Sequence, residues 1–180
     1  MNTLTEALAD IDLAFRHLEF AVRMMLYCEQ GHLNLKEFDS DITLLLPREN
    51  IGFRPGSFSS QEAIILPARA MVGIAFGVSA MVLEAAFCAA SKKRKPTSRD
   101  PADELHALIY MIRCAFAHNP ALPVWEARGN DYARNIHLTI DSEVLCVDLK
   151  TLNGRPFEYE HIGGLANWHK IREAAESLLS

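Results

Sequence analysis

The chain has 180 residues, 49% of them apolar, which is enough for one domain with a hydrophobic core. Its net charge of −5 and isoelectric point of about 5.8 exclude a strongly basic surface that would attract nucleic acid to the whole molecule. Any contact with RNA therefore requires a local basic patch.

The cysteines and the N-terminus set further expectations. Four cysteines are scattered without a CxxC pair, so we expect reduced core residues and neither a metal site nor a cofactor: Cys28, Cys88, Cys114 and Cys146. The N-terminal residues lack the basic start and apolar run of a secretory signal. The sequence therefore predicts a cytoplasmic protein that does not associate with membranes.

The first predicted element is a long helix over about residues 3–30. Apolar residues recur along it at spacings of three and four: Leu8, Ile11, Phe15, Leu18, Val22 and Met25. Gly31 ends it, since glycine adopts the left-handed conformation that closes a helix. Residues 31–57 are rich in turn formers, and we expect an excursion with one short strand or one turn of helix.

A second helix is predicted over about residues 59–90. Ser59 to Glu62 has the pattern of a capping box, and Pro67 either kinks the helix or marks a new start. Residues 70–83 carry no charge, yet these fourteen residues fall short of the ~20 that span a membrane. A helix that is apolar all round must be covered by its own bundle, by a second copy, or by both. Gly73 and Gly77 allow another backbone to approach closely.

The third helix is predicted over residues 101–118. Asp100 is its N-cap and Pro101 its first residue, while Pro120 and Pro123 prevent it from continuing. Two or three antiparallel strands follow within about 132–160, with a turn at Asn153-Gly154. A last helix over about 164–179 carries one apolar stripe: Leu165, Trp168, Ile171, Ala175 and Leu178.

The run from Arg113 to Pro120 is the best candidate for a site. It places a permanently charged guanidinium and an imidazole that titrates near neutral pH five positions apart, which suits cleavage of a phosphodiester without a metal. The two positions are about 140° apart around an ideal helix, so we expect that one copy grips a phosphate poorly. Two copies meeting across a twofold axis, or a loosened last turn at His118, would repair this geometry.

The helix order and the Arg-x4-His motif together resemble the HEPN superfamily. The run from Arg113 to Asn119, the proline-bearing loop, Trp125, the hairpin and Leu152-Asn153-Gly154 are also similar to a small plasmid-encoded branch of it, the pEK499 type. The resemblance implies a mainly α fold: an up-and-down bundle of four or five helices in a single domain, 1–180, with an inserted antiparallel β-hairpin or small meander before the last helix.

The resemblance also implies an activity. Two subunits would join their motifs into a metal-independent site that cleaves single-stranded RNA, with Arg113 and His118 catalytic and Asn119 and Glu84 supporting them. The RNA 2′-hydroxyl would attack its own phosphate, so DNA would not be a substrate. Partners implied are a second copy, an RNA substrate, and an antitoxin or another protein if the chain is a toxin or defence effector.

Alternatives remain at this stage. The position after the arginine is usually polar in the family but is Cys114 here, which favours a non-catalytic HEPN module that binds RNA or protein. Arg113 and His118 could also simply end a helix, because basic residues suit the last turn. A third hypothesis is a small-molecule site walled by the apolar second helix.

Two further features bear on the site. Glu84 is a lone carboxylate in an apolar helix and needs a partner, either Arg113 or Arg69, in an orienting or a purely structural role. Four adjacent cations precede the third helix: Lys92, Lys93, Arg94 and Lys95. They either hold an RNA backbone or form a solvated loop.

Overall fold

The computed structural model describes residues 4–91 and 99–179, which form a mainly helical fold with two small antiparallel hairpins. The helices are α1 (Leu4–Glu29), α2 (Leu35–Phe38), α3 (Gln61–Ser91), α4 (Pro101–His118), α5 (Leu149–Leu152) and α6 (Gly164–Leu179). The strands are β1 (Ile42–Leu45), β2 (Asn50–Phe53), β3 (Asn135–Ile140) and β4 (Glu143–Asp148). A 3₁₀ turn, Tyr159–Ile162, precedes α6.

Helix α1 packs along α3 and ends where the sequence predicts. Ile11, Phe15 and Leu18 are fully buried in this contact. Gly31 has φ +72°, and the amide of His32 donates to the carbonyl of Tyr27, which closes the helix. The local apolar stripe and the glycine are therefore sufficient to define this element.

Helix α3 is continuous through Pro67. The Ser60 hydroxyl accepts a hydrogen bond from the amide of Ala63, and the helix runs from Gln61 to Ser91 without restarting at the proline. Over Gln61–Ala90 it is long and apolar enough to cross a membrane, and half of its most apolar window is buried inside the fold. A core helix of a bundle meets the same criterion, so the absence of a membrane association stays a prediction.

The segment after α1 contains more structure than the sequence predicts. It forms α2 and the β1–β2 hairpin, in which Ile42 pairs with Phe53. The Asp39 carboxylate accepts from the amides of Gly56 and Phe58, tying the end of the segment to its start. Every residue of both strands is exposed, so this hairpin extends away from the core.

Helix α4 begins and ends as predicted. The Asp100 carboxylate caps it by accepting from the amide of Asp103, and Pro101 occupies the first turn. Helix α4 lies against α3 at Gly77, where a Cβ atom would come within 2.8 Å of the Phe116 ring. The predicted close approach is confirmed at this glycine.

The predicted β region is a single hairpin. Strands β3 and β4 pair antiparallel through a tight turn at Asp141 and Ser142, whose φ values are positive. Of the two alternatives, a hairpin or a small meander, the described residues form the hairpin, because Phe157 is buried in the core and Tyr159 starts the 3₁₀ turn instead of a third strand. Gly154 closes α5 rather than a hairpin.

Aromatic rings fill the centre of the core. The Phe76 ring lies about 5 Å from four neighbours: Phe116, Phe157, Tyr159 and Trp168. Trp168 of α6 donates its indole N–H to the Ser79 hydroxyl at 2.9 Å. The stripe on α6 is as predicted except at its end, where the helix turns Leu179 inward and leaves Leu178 exposed.

The expectation about the cysteines is wrong in part. All four are free thiols, but only Cys28 is a core residue: Cys146 is exposed on β4 and the other two are half-buried. The charge-free part of α3 is covered only in part by its own chain, since Ile74, Val78 and Met81 are exposed. Coverage of this exposed row by a second copy stays a prediction.

Candidate functional site

Arg113 and His118 border one concave pocket of about 220 Å³ at the C-terminal end of α4. The pocket is lined by Tyr110, Met111, Arg113, Cys114, Ala117, His118, Glu126, Arg128 and Tyr132. One wall is the last two turns of α4, and the other is the chain between α4 and β3. The two motif residues therefore border one depression in the surface.

The expected obstacle of two diverging side chains is smaller than predicted. At about 100° per residue, Ala117 and Cys114 fall between Arg113 and His118 around the helix. The two motif residues thus stand at opposite edges of one face, and the second wall lies across that face. One copy brings both groups to the same depression, although no contact joins them directly.

The second wall is positioned by long-range backbone bonds. The amide of Trp125 donates to the carbonyl of Arg155, and the amide of Gly154 donates to the carbonyl of Trp125. Trp125 and Ala127 are buried, so the alternating residues Glu126 and Arg128 turn outward to the pocket. Packing of the core therefore fixes two charged side chains opposite α4.

The charges of the pocket form a loose chain. The Glu126 carboxylate lies 4.0 Å from Nε2 of His118 and 3.7 Å from the Arg128 guanidinium. The His118 side chain is 77% exposed and that of Arg128 is 82% exposed, so the attraction of each to the Glu126 carboxylate is weak. Two guanidinium groups face one carboxylate, which leaves the pocket with net positive charge.

The floor of the pocket is aromatic and neutral. The rings of Tyr110 and Tyr132 lie 5.2 Å apart. Burial, followed by the adjacent Cys114 thiol and then Tyr132, raises the pKa of Tyr110 to about 12, while Arg113 opposes the shift. Burial also raises the pKa of Tyr132. Both hydroxyls stay protonated at neutral pH, and they can donate hydrogen bonds to an anion.

Asn119 has a structural position beside the pocket. It is the C-cap of α4, and its side-chain oxygen accepts from the amides of Ala121 and Leu122. It builds the turn that leads the chain from His118 to Glu126 and does not itself line the depression. Its predicted supporting role is consistent with shaping the wall.

Glu84 lies elsewhere. Its carboxylate accepts a hydrogen bond from the Cys88 thiol at 3.0 Å, and Arg69 pairs instead with Glu29. Among the residues that the structure describes, Glu84 makes no ion pair with Arg113. The one-turn spacing of Glu84 and Cys88 makes them close neighbours on α3, which explains the pairing. Orientation of Arg113 by Glu84 is not seen.

The basic run Lys92, Lys93, Arg94 and Lys95 lies outside the described residues. Its predicted contact with RNA stays a prediction.

Four polar side chains that line the pocket were not predicted from the sequence: Tyr110, Glu126, Arg128 and Tyr132. The position of Tyr110 could have been inferred from the sequence, because it lies one turn before Cys114 on the same helix and therefore shares its face. The alternation of buried and charged residues over 125–128 also indicated an extended segment with one polar face. The neighbouring residues do not indicate that this polar face would lie opposite the end of α4.

A separate apolar pocket of about 270 Å³ lies between α1, α2 and the start of α3. It is lined by Phe20, Met24, Cys28, Leu33, Phe38, Phe58, Ile64, Pro67, Ala68 and Met71. The predicted small-molecule site would have α3 as a wall, as this pocket does. Its lining side chains, however, offer no charged or hydroxyl group to orient a ligand.

Comparison with known proteins gives no functional assignment, so the inference of function rests on the geometry of the site. No family model, no curated protein and no solved structure matches the chain.

Proposed function

We propose that the protein is a HEPN-type endoribonuclease that cleaves single-stranded RNA without a metal, acting as a homodimer. The single observation that carries the proposal is the convergence of Arg113 and His118 on one pocket with net positive charge. A role as a toxin or defence effector in the cytoplasm, held in check by an antitoxin, follows from the same family resemblance.

The pocket contains the groups that this chemistry needs. His118 would remove the proton of the RNA 2′-hydroxyl as it attacks the adjacent phosphorus, or would protonate the leaving 5′-oxygen. Arg113 would bind the phosphate and neutralise the charge that develops on its oxygens. Glu126, 4.0 Å from Nε2 of His118, would orient the ring.

Cys114 fits this proposal as part of the pocket floor. It lies between Arg113 and His118 on the helix face, where its thiol adjoins Tyr110 and contributes to the raised pKa of that tyrosine. A neutral tyrosine at this position can donate to a phosphate oxygen. The polar residue that the family usually places after the arginine is thus replaced in part by the Tyr110 hydroxyl.

A second copy would complete the site. His118 is largely exposed in the single chain, and charge stabilisation is weak when water surrounds the reacting groups. Helix α3 exposes Ile74, Val78 and Met81 in a row, and Gly73 beside them is close to the carbonyl of Pro120 in the loop that leads to the pocket. An exposed apolar row of this kind is typical of an interface.

The experiment is cleavage of pooled RNA by the purified protein in a chelator. We expect His118→Ala to reduce the rate by about 10²–10⁴-fold, the range for a general acid or base. His137→Ala is the matched control, because His137 is exposed on β3 and away from the pocket. DNA of the same sequence should remain intact. Equal cleavage by wild type and His118→Ala would show that the activity does not arise from this motif.

Dimerisation is tested by the mass in solution at micromolar concentration. We expect a dimer for the wild type and a monomer with reduced cleavage for Ile74→Glu, because a charge would be buried in the apolar row. Val144→Glu is the control, since Val144 is also an exposed apolar residue but lies on β4. A wild-type monomer that cleaves RNA at full rate would refute the composite site.

The alternative is a non-catalytic HEPN module for association with a protein or for binding RNA. The observation that favours it is the β1–β2 hairpin, which exposes Leu45 and Phe53 and contributes no residue to the lining of the pocket. Tight RNA binding without cleavage, lost equally in Arg113→Ala and His118→Ala, would support this alternative over the nuclease.

A further inference from the structure

We propose that Glu84, Cys88 and His106 form a binding site for a zinc-class divalent cation that joins α3 to α4. Each of the three side chains offers one ligand atom, and these atoms all lie within 4.8 Å of one another. Glu84 and Cys88 are one turn apart on α3, and His106 approaches from the facing side of α4. The site is separate from the nuclease pocket and does not depend on it.

The spacing is close to that of a tetrahedral zinc centre. Zinc bonds of about 2.0–2.3 Å place neighbouring ligand atoms ~3.3–3.8 Å apart. The Cys88 sulfur and the Glu84 oxygen are 3.0 Å apart, and the remaining separations stay under 4.8 Å. Small side-chain rotations on two rigid helices therefore suffice to bring all three atoms to bonding distance.

The ligand types select the metal. A thiolate and an imidazole bind zinc and its neighbours in the transition series, whereas magnesium and calcium prefer oxygen ligands only. Three protein ligands leave the fourth tetrahedral position for water. Glu84 and Cys88 are half-buried and His106 is fully buried, so solvent reaches the cluster beside its α3 ligands.

The charge balance favours a cation at this point. Binding breaks the S–H bond of Cys88, releases its proton to solvent and forms a sulfur–zinc bond without any change in oxidation state. One thiolate and one carboxylate then neutralise the two charges of the cation, and the imidazole binds in its neutral form. A cation therefore compensates the half-buried Glu84 carboxylate more fully than its hydrogen bond from the Cys88 thiol does.

The surrounding packing holds the histidine in place. The His106 ring stacks on Phe87 with centroids 4.8 Å apart and planes 14° from parallel. Phe87 precedes Cys88 on α3, so this stack fixes the imidazole relative to both α3 ligands. His106 lies about 18 Å along α4 from His118, and the cation would therefore stabilise the helix pair without entering the chemistry of the pocket.

The test is zinc binding to the full chain, measured by titration calorimetry in a phosphine reductant that does not compete for metal. We expect one zinc ion per chain, with affinity reduced at least about tenfold in Cys88→Ser and in Glu84→Gln. Cys146→Ser is the matched control and keeps the wild-type affinity, because Cys146 is exposed on β4. These substitutions avoid the buried His106 and preserve side-chain size, so folding is maintained.

Cobalt(II) provides a direct probe of the ligands. We expect a near-ultraviolet thiolate-to-cobalt band in the wild type and in Cys146→Ser, and its loss in Cys88→Ser. Zinc should also protect Cys88 from alkylation while Cys146 stays reactive. Absence of zinc binding, or equal binding by wild type and Cys88→Ser, would overturn the proposal. RNA cleavage is not used as a readout, so this result stands apart from the nuclease test.

Discussion

The two ends of α4 differ in the burial of their polar side chains. Near its start, Asp103, Glu104 and His106 are all buried, and Glu104 forms an ion pair with Arg134 of the segment before β3. Near its end, Arg113 and His118 border an open pocket, and the nearest carboxylate contacts His118 at 4.0 Å. One helix thus carries a closed polar cluster and an open one.

This difference between the two ends of α4 distinguishes charges that stabilise the fold from charges that can bind a ligand. Charges removed from water must be matched inside the fold, and the Glu104–Arg134 pair joins α4 to the β region in this way. Charges at the open end remain solvated, so they can exchange water for a ligand at low cost. Arg113 and His118 are not enclosed by the fold in this way, and their convergence on one pocket therefore directs attention to function.

The largest expected effect on stability comes from Glu104→Ala. Removal of the carboxylate breaks the buried ion pair between Glu104 and Arg134, whose side chains are each 9% exposed, and we expect a loss of about 3–5 kcal/mol in the free energy of unfolding. Glu126→Ala at the open end is the control, with a change within about 0.5 kcal/mol. Urea denaturation measures both. Similar losses of stability for the two variants would show that the buried carboxylate at the start of α4 stabilises the fold no more than the solvated one at its end.

Two glycines on α3 allow a second, finer comparison. Gly77→Ala places a methyl group 2.8 Å from the Phe116 ring, and we expect a loss of about 1–3 kcal/mol from overpacking. Gly73→Ala meets only the Pro120 carbonyl at 3.4 Å, so the better helix propensity of alanine should stabilise the protein by up to about 1 kcal/mol. Thermal unfolding of both variants checks the sign. A stabilising Gly77→Ala would place α4 farther from α3.

The elements that the sequence predicts well are those defined by neighbouring residues. Asp100 and Pro101 start α4, and Gly31 stops α1, because caps act within one turn of the chain. The apolar stripe of α1 likewise needs only helical periodicity to identify its buried face. Arg113 and His118 belong to this group, since both lie on one short stretch of helix.

The features that the sequence misses depend on distant contacts. Glu126 reaches the pocket only because Trp125 is bonded to the backbone of Gly154 and Arg155. His106 meets Cys88 through the packing of α4 on α3, so a search for paired cysteines does not find the cluster. The charge-free run on α3 predicted full coverage, but hydropathy does not tell whether the cover is the chain itself or another copy.

The smallest expected effect concerns Tyr110 at the open end of α4. Its pKa is about 12 in the folded protein against an ordinary value of 10.0, mainly because burial disfavours the charged form. The stabilisation linked to this shift is fully present below about pH 10 and disappears as the pH rises toward 12, since the unfolded chain loses the proton first. Stability should therefore decline across this alkaline range.

Tyr110→Phe tests that linkage. Without an ionisable hydroxyl, the variant should lose less stability than the wild type between about pH 9 and pH 11, as measured by urea denaturation at each pH. Equal declines would mean that Tyr110 is as accessible to water when folded as when unfolded. The floor of the pocket would then be as solvated as its rim. In that case the Tyr110 hydroxyl, which is proposed to donate a hydrogen bond to a phosphate, would bind it no more strongly than the exposed His118 does.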